Sequence, residues 1–150
     1  LGATEVDVSF NANVVTHSDG MLLHGIGGWQ NCLAAGCTIL ALPAFRDRIP
    51  VIVDQVTTLT GPGELIDVVV TERGIAVNPR RTDLLDVLRS NDTDLPIRPI
   101  EEIKAEVERL VGGPPRRPEL LDQPVAVVKW VDGTVLDTVW QVPDAPELGG

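Results

Sequence analysis

The chain has 150 residues, 43% of them hydrophobic and 23% charged, with a formal net charge of -10 at pH 7. That length suits one domain with a sizeable core, and that composition excludes a disordered chain. The excess of 22 acidic over 12 basic residues argues against a nucleic-acid partner, because phosphate binding needs a basic face.

Aromatic residues are scarce, with three Trp, two Phe and no Tyr, so valine and isoleucine must carry the core, which favours buried strands. The sequence opens on Leu1 and becomes strand-like almost at once, which suggests a portion of a longer polypeptide. No signal peptide is visible, and Pro43 and Arg46 cut short the apolar run "TILALPAF". A cytoplasmic location is expected, with no membrane partner.

In chain order, "TEVDVSFNANV" alternates Val6, Val8 and Phe10 with Glu5, Asp7 and Ser9, the pattern of a strand with one buried and one solvated face. The polar pair Asn11 and Asn13 follows, then a turn at "HSDG". "MLL" reads as a short strand, and "CLAAGCTILAL" as a short helix passing into a buried strand. "IPVIVDQVTTL" and "IDVVVTERGIAV" are β-branched runs bounded by Gly and Pro, read as strands around a "TGPGE" turn or ligand-side loop.

"NPRRTDLLDVLRS" predicts a helix capped by Thr82 or Asp83, with Leu84, Leu85 and Leu88 on one face. "PIEEIKAEVERLVGG" predicts a second, with a stripe of Ile100, Ile103, Val107, Leu110 and Val111. Glu101 and Glu102 occupy its first turn and Gly112-Gly113 ends it. "PPRRP" reads as a stiff linker. "VAVVKWVDGTVLDTVWQV" predicts a β-hairpin turning on Asp132-Gly133, with Trp130 opposite Val135 and Ala126 opposite Val139. The expected division is an α/β region over 1–113, a linker over 114–124, the hairpin over 125–142 and a tail over 143–150.

The best local candidate for chemistry is "HGIGGWQN", where Gly25, Gly27 and Gly28 fall within four positions. Such a cluster signals unusual dihedrals or close backbone approach, to a ligand or to another strand. It lacks the spacing of a dinucleotide fingerprint and the Lys-Ser/Thr of a P-loop. Trp29 next to it is a packing anchor by default. Arg46, Arg48, Arg80 and Arg81 have the planar fork that suits carboxylates and phosphates, though surface arginines are commonly just solvated. Glu72 sits at a strand end, where α/β proteins place ligand groups. Cys32 and Cys37, with His17 and His24 nearby, match no zinc pattern and are expected to be buried, reduced thiols, with no metal bound. No Ser-His-Asp set is readable.

Together "LGATEVDVSFNANV", "SDGMLLHGIGG", "RDRIPVIVDQVTTLTGPGE", "IDVVVTERGIAVNPRR" and "DGTVLDTVWQV" resemble, in order, the C-terminal portion of the citrate lyase alpha subunit family, within the coenzyme A transferase superfamily. The resemblance implies a coenzyme A transferase-like (NagB/RpiA-like) fold: an open sheet with flanking helices and a C-terminal β-hairpin. It implies transfer of an acyl carrier protein thioester from acetate to citrate, giving citryl carrier and free acetate. The implied partners are the N-terminal half of the same polypeptide, the beta and gamma (acyl carrier) subunits, citrate and acetate, in an oligomer. This chain is expected to bind no cofactor itself; the carrier bears a phosphoribosyl-dephospho-coenzyme A arm, for which acetyl-coenzyme A is an analogue.

By resemblance, Gly25, Gly27 and Gly28 form the glycine loop, with Asn11, Asn13 and Glu72 completing the substrate-binding set. No catalytic residue is assigned, since the family's nucleophilic glutamate matches nothing in these residues and is expected upstream. Trp29-Gln30-Asn31 stand where the family has a His-Ser-Asp type segment. That departure leaves two alternatives: a non-catalytic binding or scaffold domain, or a transferase of different acid specificity.

Overall fold

The computed structural model describes residues 1–91 and 93–144. Among the described residues, ten short strands, three α-helices and one 3₁₀ turn follow one another along the chain. β1 (Glu5–Asp7) lies between β2 (Ala12–Asn13), antiparallel to it, and β6 (Ile52–Val53), parallel to it. Its centre, Val6, pairs with Ala12 on one side and Ile52 on the other, and all three are fully buried.

A second three-stranded sheet joins β3 (Ile39–Ala41) in parallel to β7 (Val68–Thr71), which turns back antiparallel into β8 (Gly74–Val77). The run "IDVVVTERGIAV" is therefore a hairpin rather than one strand. Its turn at Glu72-Arg73 depends on Gly74, whose φ of +147° only glycine adopts freely. β4 (Phe45–Arg46) and β5 (Ile49–Pro50) form a hairpin of their own.

The expected single open sheet is thus resolved into several small ones. Its strands are too short to make one ladder, because Pro43, Pro50 and the left-handed Phe10 (φ +66°) and Asp47 (φ +52°) interrupt them. "MLL" is reduced to one bridge, Thr16 to Leu22, with Met21, Leu22 and Leu23 exposed.

Helix α1 is one turn, Trp29–Cys32. Helix α2 spans Thr82–Ser90 and starts after Arg81 with no side-chain cap, so Thr82 and Asp83 lie inside it rather than capping it. None of its residues is buried; Leu84, Leu85 and Leu88 are half-covered. Helix α3 (Ile100–Val111) follows its sequence pattern over its first two turns: Ile100, Ile103 and Val107 are buried against β5, β6 and β8, whereas Leu110 is exposed and Val111 half-buried where the helix runs past the sheet, and left-handed Gly112 (φ +99°) ends it. Burying each such aliphatic side chain is worth about 1.5–3 kcal/mol before entropy is counted. Lys104, on the flank of α3, bridges Asp54 (2.9 Å) and Glu108 (2.8 Å). Burial lowers its pKa, but the two carboxylates outweigh that and raise it overall.

The segment from Pro114 runs without regular structure into β9 (Pro124–Lys129) and β10 (Val135–Trp140). Ala126 faces Val139 as the sequence predicts, but Val135 faces Lys129, not Trp130. Trp130 N–H donates to Thr134 O (2.7 Å) and Gly133 N–H to Trp130 O (2.9 Å), so the loop is Val131-Asp132-Gly133. Gly133 alone has positive φ (+92°), whereas a two-residue type I′ turn would need it at Asp132 as well. The hairpin is fastened to the body by Leu59 N–H donating to Asp137 Oδ2 (2.6 Å) and Gln30 Nε2 donating to Lys129 O (2.7 Å). Of the expected tail, residues 145–150 lie outside the described residues.

Candidate functional site

The glycine loop is open. Gly25, Gly27 and Gly28 are exposed, and a Cβ added to any of them would meet nothing within 4 Å. Packing inside this chain therefore does not require glycine there, although the φ of +57° at Gly27 favours it. Among the described residues, none of the amide N–H groups of Gly25, Ile26, Gly27 and Gly28 donates to a protein acceptor; donation resumes at Trp29, to Ile26 O at 3.3 Å. The loop thus presents a short run of unspent amide donors to its surroundings. His24, exposed beside it, places Nδ1 2.7 Å from Gly25 O.

The residues after the loop anchor it. Trp29 Nε1 donates to Gly2 O (3.0 Å), and its ring covers Gly61, where even a Cβ would sit 2.1 Å from the indole. Gln30 is buried and reaches the hairpin. Trp29 is thus the packing anchor its identity suggests.

Around β1 and β2 lies a buried polar network that the alternation in "EVDVSF" does not announce. Glu5 is 3% exposed and Asp7 2%, so the face expected to be solvated is covered. The cover is the segment after β6: Glu5 Oε2 accepts from Thr57 N–H (2.8 Å) and Asn13 Nδ2 (3.1 Å), and Oε1 accepts from Thr57 Oγ1 (3.1 Å). Asp7 accepts from Ser9 N–H and Asn11 N–H, each at 2.9 Å, and from Asn11 Nδ2 at 3.1 Å.

Asn13, fully buried, also donates to Thr16 Oγ1 (2.9 Å), and its Oδ1 accepts from Val15 and Thr16 N–H. Asn11 Oδ1 accepts from Gly63 N–H (2.9 Å). Both asparagines spend their amides inside the chain, tying β1 and β2 to the 57–63 segment. Gly63 must be glycine, since a Cβ there would lie 2.0 Å from Ser9 O. Asn78 continues the bracing, donating to Gly63 O and Ile66 O at 2.9 Å each.

Glu72 is exposed in the β7–β8 turn, where Oε2 accepts from Ala44 N–H (2.9 Å). Arg73 beside it stacks over Phe45 at 5.7 Å. Of the arginines singled out, Arg81 is structural: it pairs with Asp67 (2.8 Å) and Asp83 (2.7 Å). The bond to Asp83 lowers that carboxyl to about 2 and, with Asp67, raises the guanidinium pKa. Arg80 lies 3.9 Å from Glu64. Arg46 donates to Thr4 O and Ala3 O, each at 2.8 Å.

Cys32 and Cys37 are both exposed, contrary to expectation. From Cys32 to Thr38 only Leu33 and Thr38 are buried, because these residues form a surface connection rather than core. Among the described residues no cluster of three or more His, Cys, Asp or Glu is placed to hold a metal ion, and no helix is long and apolar enough to cross a membrane.

The family model described as "Citrate lyase, alpha subunit (CitF)" matches residues 1–142. The citrate lyase alpha chain of Haemophilus influenzae is 43% identical over 145 residues, covering 96% of this chain and 28% of that protein. The Klebsiella pneumoniae alpha chain is 44% identical over 146 residues, covering 97% and 28%. A crystal structure of the alpha subunit of citrate lyase from Streptococcus mutans, in complex with citrate, superposes with a TM-score of 0.90 at 40% identity, over 96% of this chain and 28% of that one. The chain thus spans just over a quarter of the length of these relatives. From the first strand to the end of the hairpin, it belongs to the citrate lyase alpha subunit family.

Proposed function

We propose that the chain is the C-terminal region of a citrate lyase alpha subunit acting as an acyl transferase. The reaction exchanges acetate for citrate on an acyl carrier thioester, giving citryl carrier and free acetate. The observation that carries this reading is the run of unspent amide donors over 25–28, open to anything that approaches from outside the chain. Attack of a carboxylate on the thioester puts negative charge on its carbonyl oxygen before the carrier thiolate leaves. Backbone N–H groups fixed at that oxygen stabilise the transition state.

In this reading Gly25, Gly27 and Gly28 face the thioester, and Asn11 and Asn13 keep β1 and β2 rigid. Glu72 offers an exposed carboxylate in the β7–β8 turn. The nucleophilic glutamate, the carrier and the beta subunit lie outside these residues, with the carrier bringing the coenzyme A-like arm. Family membership and the citrate-bound relative support the substrate class.

Gly28→Val in the native protein tests the proposal. Gly28 has φ -85° and free space around it, so a side chain is sterically tolerated. The valine keeps its N–H but fills the open space in front of the loop, so the thioester carbonyl is held off the amide donors. Transfer from acetyl thioester to citrate should fall about a hundredfold or more, comparable to removal of one such contact, while the melting temperature holds. Retained transfer would refute the role of the loop. A second reading, a non-catalytic binding domain, is favoured by the commitment of Trp29 and Gln30 to internal contacts. Absence of transfer by the unmodified native protein, with its partners present, would select it.

A further inference from the structure

The glycine loop does little to hold itself in place. Three of residues 24–28 are glycines, and among the described residues none of the amides of 25–28 finds an acceptor in the chain. Glycine has more backbone freedom to lose than any other residue, so such a loop keeps one position only if its ends are held. At its entry, Leu23 N–H donates to Val15 O at 2.8 Å. At its exit, the residue directly after Gly28 is Trp29, whose side chain has a fitted seat.

That seat is Gly61. The three atoms nearest to a Cβ placed there all belong to the Trp29 ring, and no other atom comes closer than 3.4 Å. Gly61 also lies outside the left-handed region, so its own backbone does not call for glycine. What excludes a side chain at 61 is the indole packed on it.

The seat is rigid. Ala12 N–H donates to Gly61 O (2.9 Å) and Gly61 N–H to Ala12 O (3.0 Å), while Val14 N–H donates to Thr60 Oγ1 (3.1 Å). Ala12 and Thr60 are fully buried, and Leu59 N–H is bonded to Asp137 of the hairpin. Residues 59–61 thus form a shelf fixed to β2 on one side and to β10 on the other. The Nε1 bond from Trp29 to Gly2 O orients the ring on that shelf. The ring itself is half-exposed, so when the pair is forced apart the ring yields toward solvent and the shelf stays.

We infer that Trp29 and Gly61 form a clasp that holds the exit of the glycine loop, making Trp29 a positioning residue for the amide donors of 25–28. The clasp stands on the packing alone; its effect on catalysis rests on the acyl-transfer reading proposed above. Amide donors stabilise a developing oxyanion only if they are fixed in place beforehand, and a misplacement of about 1 Å costs on the order of a hundredfold in rate. A clasp of this kind acts on the chemical step rather than on substrate binding.

The test compares W29A, W29F, G61A and W29A/G61A in the native protein. It reads kcat and KM for transfer from acetyl thioester to citrate, and subtilisin cleavage within residues 21–28 by mass spectrometry, with melting temperatures confirming folding. W29A should lower kcat about tenfold to a hundredfold, with KM for the thioester held within about twofold. Cleavage of the loosened loop should speed up about tenfold. W29F keeps a ring on the shelf and should recover most of both losses. G61A pushes the ring off its seat and should resemble W29A, yet it should add nothing in the W29A background, where the methyl enters vacant space. Because G61A and W29F each retain a ring to pack, they decide the matter even if W29A fails to fold. Unchanged cleavage in folded W29A and G61A, or fully additive losses in the double variant, would overturn the clasp. Faster cleavage with kcat unchanged, or KM raised with kcat retained, would overturn the positioning role. Should the native protein transfer no acyl group while cleavage follows the non-additive pattern, the clasp stands and the transferase reading fails.

Discussion

Replacing Glu5 is the sharpest probe of the buried network around β1 and β2. Its carboxylate faces only donors: Thr57 N–H, Thr57 O–H and Asn13 Nδ2. Glu5→Ala leaves all three without their acceptor. Each charge-assisted bond is worth about 1.5–3 kcal/mol. Relief from burying the charge offsets part of the sum, leaving a net loss of about 3–4 kcal/mol. At about 2–4 °C per kcal/mol for a domain of this size, the melting temperature should drop by roughly 10 °C.

Glu5→Gln separates geometry from charge. Its amide oxygen can take the Oε2 place, accepting from Asn13 and Thr57 N–H. Its NH₂ can take the Oε1 place and donate to Thr57 Oγ1, which turns its own hydrogen away. Only charge assistance is lost, about 1 kcal/mol. Thermal and urea unfolding of the two variants in the native protein would measure both. A loss below about 1 kcal/mol for Glu5→Ala, or equal losses for the two, would refute acceptor geometry as what the carboxylate contributes.

Gly63→Ala should destabilise by about 2–3 kcal/mol, because the new methyl meets backbone of residues 9–11 that has no room to move, whereas Gly28→Ala should be neutral by the same urea assay. Cys32 and Cys37 should alkylate at rates near that of free cysteine, read by peptide mass spectrometry; protection of both would contradict their exposure. Stability should fall with acid in a defined window. The Arg81 hydrogen bond lowers Asp83 from 3.8 to about 2, Arg98 lowers Glu106, and Thr134 backbone N–H lowers Asp132. The unfolded chain then takes up these protons first, so the stabilisation is complete above the ordinary carboxylate range and is lost as pH falls through the lowered values. Urea midpoints across pH 2 to 6 should show this decline, and Glu106→Gln should make it shallower.

The sequence alone determined those features whose information is local. Helix α3 was legible because its stripe, its acidic first turn and its terminal glycine agree within fifteen residues, and the tertiary contacts bury the first three members of that stripe, Ile100, Ile103 and Val107, leaving Leu110 exposed. The turn at Gly20 and the hairpin position were legible for the same reason, and the ordered motifs pointed to the family that the whole-chain match establishes. The glycine loop could be found in the sequence, but not that its amides are unspent.

What only the tertiary structure decided depends on partners far along the chain. The alternation of Glu5 and Asp7 with valine assigns them a face, yet whether water covers that face is set by Thr57 and Val56, about fifty residues away. The same holds for the two cysteines, whose small apolar neighbours look like core until no element packs over them. A cleft at Ser18 likewise forms only when the β4–β5 hairpin and a proline-bracketed segment some seventy residues apart meet there. Side-chain periodicity encodes direction, and burial is a property of whatever the rest of the chain brings to that side.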